Sequence, residues 1–292
     1  MLTIITPTFN RGYILEKAYL SLKNQTNFDF EWIIIDDGSS DNTNILVENW
    51  KKEVNDFSIN YLKTKNGGKH RAVNKGVLLA SGEYILILDS DDYLLPNAVE
   101  KIHMWFNTIN GKKDFAGVAG MKGHILSNSQ IGDNLDVEYV DATNIERKKF
   151  KLCGDKAEVL YTNIMKLYPF PEFEGENFIR ESVVWDKIAL DGYKIRWYNE
   201  VIYKCDYLDD GLTKNSNDKL YIQNFNGFQL MVKIAVKTQR FPSRNIKIGY
   251  YNSIAKKKGL KTKKICKELG ITKVTLAFSI LMYRIRNLVK RF

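Results

Sequence analysis

Over its first hundred residues the chain alternates short, β-branched apolar runs with stretches of helical spacing, and this alternation limits the fold more than any other feature. Residues 2–6 form the first apolar run, and 13–24 then place Ile14, Leu15, Ala18, Tyr19 and Leu22 at helical intervals. Residues 31–35, 58–63 and 83–88 read as further strands, with helical segments over 42–54 and 71–79 between them. Strand, helix, strand in this order implies parallel strands joined by right-handed crossovers. Strands this apolar imply a sheet covered on both faces. Such sheets bind ligands beyond the C-terminal ends of their strands, and here polar or glycine residues follow three of those ends: Thr6-Pro7-Thr8-Phe9-Asn10-Arg11, Asp36-Asp37-Gly38 and Asp89-Ser90-Asp91-Asp92.

The pattern is less regular afterwards. Residues 114–121 suggest a strand, 158–166 a strand or a helix, 170–176 a loop, 181–190 a helix stopping at Asp191-Gly192, and 195–203 a strand. A polar loop at 209–218 leads into an amphipathic helix over 219–238. With 292 residues, 44% of them hydrophobic, there is material for one sizeable core and an appendage. From Arg244 onward the chain carries 14 Lys and Arg against a single acid, Glu268, whereas the remainder carries 30 basic and 33 acidic side chains. That asymmetry sets off 244–292 as a basic helical tail with a partner of its own, behind a body of residues 1–243. Cys153, Cys205 and Cys266 show no metal spacing and no disulfide framework, which suits a reducing cytoplasm. The N-terminus has no signal-peptide pattern, and the apolar stretch around 274–283 is too short to span a bilayer. No nucleic-acid-binding module is recognisable.

Carboxylates crowded as at 89–92 repel one another unless something neutralises them. A hard divalent cation does this and can bridge to a diphosphate; a turn or helix cap ahead of Leu94 and Pro96 is the plainer alternative. Asp36-Asp37 can accept hydrogen bonds from a base or ribose, or simply open an Asp-Gly turn with Ser39 and Ser40 as a helix cap. The hydroxyls of Thr6 and Thr8, with Asn10 and Arg11, can line a nucleotide. Gly67-Gly68-Lys69-His70-Arg71 offers close backbone approach at Gly67 and charge at Lys69 or Arg71 for a diphosphate.

Taken in order, these segments resemble the family 2 glycosyltransferases. The resemblance runs through Ile4-Ile5-Thr6-Pro7-Thr8-Phe9-Asn10-Arg11, Trp32-Ile33-Ile34-Ile35-Asp36-Asp37-Gly38-Ser39-Ser40-Asp41, Asn66-Gly67-Gly68-Lys69 with Ala72, Asn74 and Gly76, and Ala80-Ser81-Gly82-Glu83-Tyr84-Ile85-Leu86-Ile87-Leu88-Asp89-Ser90-Asp91-Asp92. It implies a GT-A fold: an α/β, Rossmann-like, mostly parallel sheet flanked by helices, here with the basic helical extension. Residues 1–100 would be the nucleotide-binding half and 101–243 the acceptor half. Thr6, Pro7, Thr8, Asn10 and Arg11 would floor the nucleotide pocket, with Asp36, Gly67 and Ser90 beside it. Asp37 matches the position that holds the uracil edge of a UDP donor, and Lys69 a nucleotide contact. Asp89 would sit by the ribose, and Asp91, helped by Asp89 and Asp92, would bind Mn²⁺ or Mg²⁺ at the diphosphate.

The family carries an acid, often Glu-Asp, at the start of a helix ending in Gly-Tyr. Here Glu181-Ser182 precedes Gly192-Tyr193, which makes Glu181 the expected general base, with Glu176 the other candidate. A favourable acid in the first turn of a helix is the plainer account of Glu181. The resemblance implies an inverting transfer from a nucleotide-sugar, UDP-linked if Asp37 reads uracil, to a glycan or lipid-linked acceptor in bacterial surface polysaccharide synthesis. Members often hold the metal with a late histidine; this chain has only His70, His103 and His124, which leaves Asp209 or Asp210 as substitutes. The tail is expected to rest on an anionic membrane surface, placing the protein peripherally on the inner face of the cell membrane, or else to pack on the body or pair two subunits as a homodimer. Two other classes fit less well. A sugar-1-phosphate nucleotidyltransferase lacks its Gly-rich, Arg- and Lys-bearing signature here, and a non-catalytic sugar-nucleotide or glycan binder has no need of the Asp89 and Asp91 pair.

Overall fold

The computed structural model describes residues 1–53, 56–125, 127, 129–205 and 217–289. In chain order the elements are β1 (Leu2–Thr8), α1 (Glu16–Lys23), β2 (Phe30–Asp36), α2 (Thr43–Lys52), β3 (Ser58–Lys63), α3 (Lys69–Leu79), β4 (Tyr84–Ile87), β5 (Tyr93–Leu94), α4 (Ala98–Ile109), β6 (Phe115–His124), β7 (Tyr139–Ala142), β8 (Lys156–Tyr161), α5 (Thr162–Leu167), α6 (Ser182–Leu190), β9 (Lys194–Cys205), α7 (Asp218–Gln223), α8 (Phe225–Thr238), α9 (Ser243–Lys257), α10 (Thr262–Leu269) and α11 (Lys273–Val289). They form two compact units. The first holds the described residues of Met1–Phe170 and 191–205, and the second those of Pro171–Leu190 and 217–289.

The first unit is built on one sheet in the order β3-β2-β1-β4-β8-β6-β9-β5, with β7 also paired to β9. The four strands expected from the N-terminal pattern are mutually parallel, β1 lying between β2 and β4. Beyond β4 the sheet is mixed. β8 runs antiparallel to both β4 and β6, and β9 runs parallel to β6 but antiparallel to β5 and β7. An apolar run carries no sign of its direction, so sequence pattern alone does not distinguish these pairings. Every residue of β1 and β2 is buried, as expected for strands covered on both faces. Helix α4 is an addition to the expected elements. Val99, Ile102, Phe106 and Ile109 form its buried stripe, and they join the main apolar cluster with Trp32, Ile34 and Tyr203. The ambiguous stretch 158–166 divides between strand and helix, β8 running directly into α5.

Two polar side chains are built into the covered strands. Glu31 of β2 accepts from the Thr3 hydroxyl and from the Ser81 N–H, both at 2.7 Å, so it ties β1, β2 and the turn before β4 together. Trp32 Nε1 donates to Thr6 Oγ1 at 2.9 Å. Buried polar atoms satisfied in this way fix register instead of penalising burial.

The second unit is helical among its described residues. Tyr221, Phe225, Phe228 and Val232 share one apolar cluster with Ile248, Tyr251, Ile254, Ile265 and Leu276, so the basic helices after 243 have a core in common with α7 and α8. The single helix expected over 219–238 is broken at Asn224. The side chain of this buried residue donates to Leu220 O and accepts the N–H groups of Asn177 and Phe178 at 2.8 and 3.0 Å. Among the described residues no helix is long and apolar enough to cross a membrane.

Replacing Glu31 by Leu leaves the buried Thr3 hydroxyl without its acceptor and cuts the Ser81 amide's tie to β2. Urea unfolding is expected to show a loss of about 2–4 kcal/mol at unchanged m-value, whereas Glu31→Gln, which keeps an acceptor in place, loses about 1 kcal/mol or less.

Candidate functional site

The carboxyl ends of β1, β2 and β4, with the start of α3, gather Thr6–Arg11, Asp36, Asp37, Gly67–Lys69 and Asp89–Asp92 at one edge of the first unit. The loops are tied by their own polar side chains. Asn10 takes a left-handed backbone (φ 52°), which Asn tolerates. Its N–H donates to Ser39 Oγ at 2.8 Å, and its Oδ1 accepts the Ser40 N–H at 2.8 Å. Asp36 is fully buried and accepts from the Ser39 N–H at 2.7 Å and the Tyr61 hydroxyl at 2.6 Å. Gly38 has φ 89°, and a Cβ there would lie 2.9 Å from Asn66 N, so both conformation and space require glycine.

Asp37 serves the loop ahead of α3. One carboxylate oxygen accepts the Gly67 N–H at 2.8 Å, and the other accepts the Gly68 N–H at 2.7 Å and Asn66 Nδ2 at 3.2 Å. Burial raises its acid above the usual carboxylate range, and the two backbone amides pull the other way. In this arrangement Asp37 shapes the segment from which Lys69 projects.

Lys69 Nζ lies 2.5 Å from Asp89 Oδ1, and Arg11 Nη1 lies 3.7 Å from Asp91 Oδ2. Burial alone would raise the acid of Asp89, but the charges of Lys69, Lys122 and Arg11 outweigh it and hold that acid below its ordinary value. Asp91 is raised, first by burial and then by the charge of Asp89, with Arg11 opposing. Asp92 is buried and pushed up to about 8, by burial and then by Asp89. Ser90 is buried between them in sequence, and Thr8 Oγ1 is buried with no hydrogen-bond partner among the described residues.

Two residues far along the chain complete this cluster. Tyr203 of β9 is fully buried; its hydroxyl donates to Asp92 Oδ2 at 2.8 Å and accepts the Asp89 N–H at 3.0 Å. Lys122 of β6 lies 3.9 Å from the centre of the Tyr203 ring and 4.0 Å from Asp92 Oδ2. Neither carries a local sequence signal, because both reach the cluster through strand pairing.

Among the described residues no three His, Cys, Asp or Glu side chains converge as a ready ligand set. His70 lies on α3, His103 on α4 and His124 at the end of β6, while Asp209 and Asp210 lie outside the described residues. The donor chemistry nonetheless suits a divalent cation. Asp89 and Asp91 supply hard oxygen, Asp91 carries charge raised in energy by its neighbour, and Mg²⁺-type sites characteristically use one or two carboxylates and draw the remaining oxygens from phosphate and water.

The second unit holds the two other candidate acids. Glu176 is buried, and its two oxygens accept the N–H groups of Asn226 and Gly227 at 2.7 and 2.9 Å. It thus caps the first turn of α8, where a carboxylate also favours the helix dipole. Glu181 is half-buried and immediately precedes α6, its main-chain carbonyl accepting the N–H groups of Val184 and Trp185.

Residues 3–112 match the family model described as Glycosyl transferase family 2. Over these residues the chain is similar to the family 2 glycosyltransferases. The match spans β1 to α4 and contains every first-unit candidate residue from Thr6 to Asp92. A GalNAc(5)-diNAcBac-PP-undecaprenol beta-1,3-glucosyltransferase of Campylobacter jejuni is 32% identical over 192 residues, which cover 63% of this chain and 58% of that relative. The chain therefore spans less than two thirds of that relative's length. S. aureus TarS 1–349 in complex with UDP-GlcNAc superposes with a TM-score of 0.67 at 14% identity, covering 97% of this chain and 88% of that one. The mannosyltransferase PcManGT from Pyrobaculum calidifontis, in complex with GDP-Man and Mn²⁺, gives 0.56 at 17% identity over 99% and 86% of the two chains. These likenesses show the fold, the GT-A arrangement of a sheet flanked by helices. The acidic cluster Asp89-Ser90-Asp91-Asp92 lies within the matched region and is braced from outside it by Lys122 and Tyr203.

Tyr203→Phe keeps the ring but removes both hydroxyl bonds, leaving Asp92 without its donor and the Asp89 N–H without its acceptor. Chemical denaturation is expected to show a loss of about 1–3 kcal/mol with unchanged far-UV circular dichroism.

Proposed function

We propose that the chain is a glycosyltransferase of bacterial surface glycan synthesis, moving a sugar from a UDP-sugar to a glycan or lipid-linked acceptor with inversion. The observation that carries this reading is the cluster at the mouth of the parallel strands, where Asp89, Asp91 and Asp92 meet Lys69, Arg11 and Lys122. An acidic segment surrounded by cations suits a ligand of mixed charge, a nucleoside diphosphate accompanied by a divalent cation. UDP is favoured by the TarS complex with UDP-GlcNAc. The acceptor class is suggested by the undecaprenol-linked acceptor in the Campylobacter relative's name.

Asp91, with Asp89, would hold Mn²⁺ or Mg²⁺, which supplies charge compensation to the departing diphosphate. Thr6, Pro7, Thr8 and Asn10 would line the nucleotide, with Asp36, Gly67 and Ser90 shaping the loops around it. Lys69 and Arg11 contribute the chain's own positive charge toward the phosphates. Glu181 would take the proton from the acceptor hydroxyl as it attacks the anomeric carbon. A single displacement needs only one such base and inverts the anomeric configuration. The choice of Glu181 over Glu176 is supported by the commitment of both Glu176 oxygens to backbone amides.

Calorimetric titration with UDP, GDP and dTDP, each with Mn²⁺ and with chelator, tests the donor site. Metal-dependent UDP binding, lost in Asp91→Ala, is the expected result; no binding of any nucleotide would sink the reading. Glu181→Gln is expected to keep UDP binding while turnover of a UDP-sugar panel falls about 10²–10⁴-fold. Unchanged turnover would remove Glu181 from the base role, and a retained anomeric configuration in the product, read by NMR, would rule out the single displacement.

A further inference from the structure

Helix α11 has two dissimilar faces. Leu276 and Ser279 are buried toward α9, where Ser279 and Tyr283 leave no room for a side chain at Gly249. Val274, Phe278, Leu281, Ile285 and Leu288 recur every three or four residues and are all between 45% and 79% exposed. Phe241, itself 61% exposed, stacks on Phe278 with ring centres 6.2 Å apart and extends the apolar strip beyond the helix. Isolated exposed apolar side chains need no explanation, but a continuous row of large ones marks an interaction surface.

Charge identifies the occupant. α11 contains no acidic residue, and Arg284 and Arg286, one on either side of Ile285 in sequence, are exposed. The sequence continues with Lys290 and Arg291, and of the whole stretch from Arg244 only Glu268 is acidic. Glu268 is already engaged by Gln229, Tyr251 and Lys264. A second copy of this helix would bring only further cations, with no carboxylate on either helix to offset the arginines. An anionic lipid surface supplies that offset over its whole area and takes the apolar row between its headgroups. The 17-residue helix suits lying in the interface, since no described helix can span it.

We propose that the exposed face of α11, together with Phe241, docks on an anionic phospholipid surface, with Val274, Phe278, Leu281, Ile285 and Leu288 entering the headgroup layer and Arg284 and Arg286 pairing with lipid phosphates. This deepens the reading of a lipid-linked acceptor, but its evidence is independent of catalysis.

The test is flotation of the 292-residue chain with phosphatidylcholine vesicles, with and without phosphatidylglycerol. The wild type should float with the anionic vesicles and little with the neutral ones. Phe278→Asp/Leu281→Asp and, separately, Arg284→Glu/Arg286→Glu should each lower the bound fraction about tenfold or more, at unchanged melting temperature, since all four side chains face solvent. Failure of the wild type to float, or flotation unaltered in both variants, would overturn the proposal. So would a wild-type dimer in sedimentation equilibrium that Phe278→Asp/Leu281→Asp dissociates without any vesicle binding, a result that gives the face to a second copy. UDP titration of the same preparations separates the two claims: vesicle binding without nucleotide binding defeats only the transferase reading, and the converse defeats only this one.

Discussion

Charge compensation at the end of β4 is the constraint on which the first unit depends. Two like unit charges about 4 Å apart in a setting of effective dielectric near 20 cost about 4 kcal/mol. Three aspartates fall within four consecutive positions, so the surrounding structure has to contribute positive charge or suppress ionisation, and it does both. Lys69, Arg11 and Lys122 approach from α3, from the loop after β1 and from β6, and Asp92 is driven toward its neutral form. The chain elements that converge on this edge are therefore coupled through a single electrostatic balance. A ligand carrying both a divalent cation and phosphates can enter that balance without leaving a bare charge on either side.

Around this centre, polar residues that look like ligand contacts also support the loops. Asp36 and Asp41 accept bonds from their own turn and from the neighbouring strand and loop, and Asn10 ties the loop after β1 to the one after β2. The acid of Asp41 is held low by bonds from Thr43 and Gly12, which overcome the opposing effect of burial. Side chains fixed in this way would lose little freedom on meeting a ligand, which is the physical value of preorganisation.

How much of this could be read from the chain alone depended on sequence separation. β1 to β4 and the helices between them follow from local periodicity, and the acids at the strand ends stand beside the strands that carry them. α4 was equally local, its stripe of Val99, Ile102, Phe106 and Ile109 being a plain helical pattern. Other features were inaccessible in principle. The break at Asn224 arises because its side chain serves Asn177 and Phe178, 47 and 46 residues away. Tyr203 meets Asp92 across 111 residues, through a strand whose direction no apolar pattern encodes. Glu176 and Glu181 look alike as letters. Nothing in the local pattern shows that Glu176 is engaged by the amides opening α8, in a segment 50 residues further on.

The two oxygens of Asp37, each engaged by a glycine amide, bear on how this pocket can diverge over evolution. Asparagine is the nearest replacement in size, yet its amide nitrogen would face one of those N–H groups and set donor against donor. Glutamate would push the Gly67-Gly68 segment outward, and with it Lys69. Change in this loop is therefore steered toward the neighbours of Asp37, since the aspartate is pinned by the backbone it holds in place.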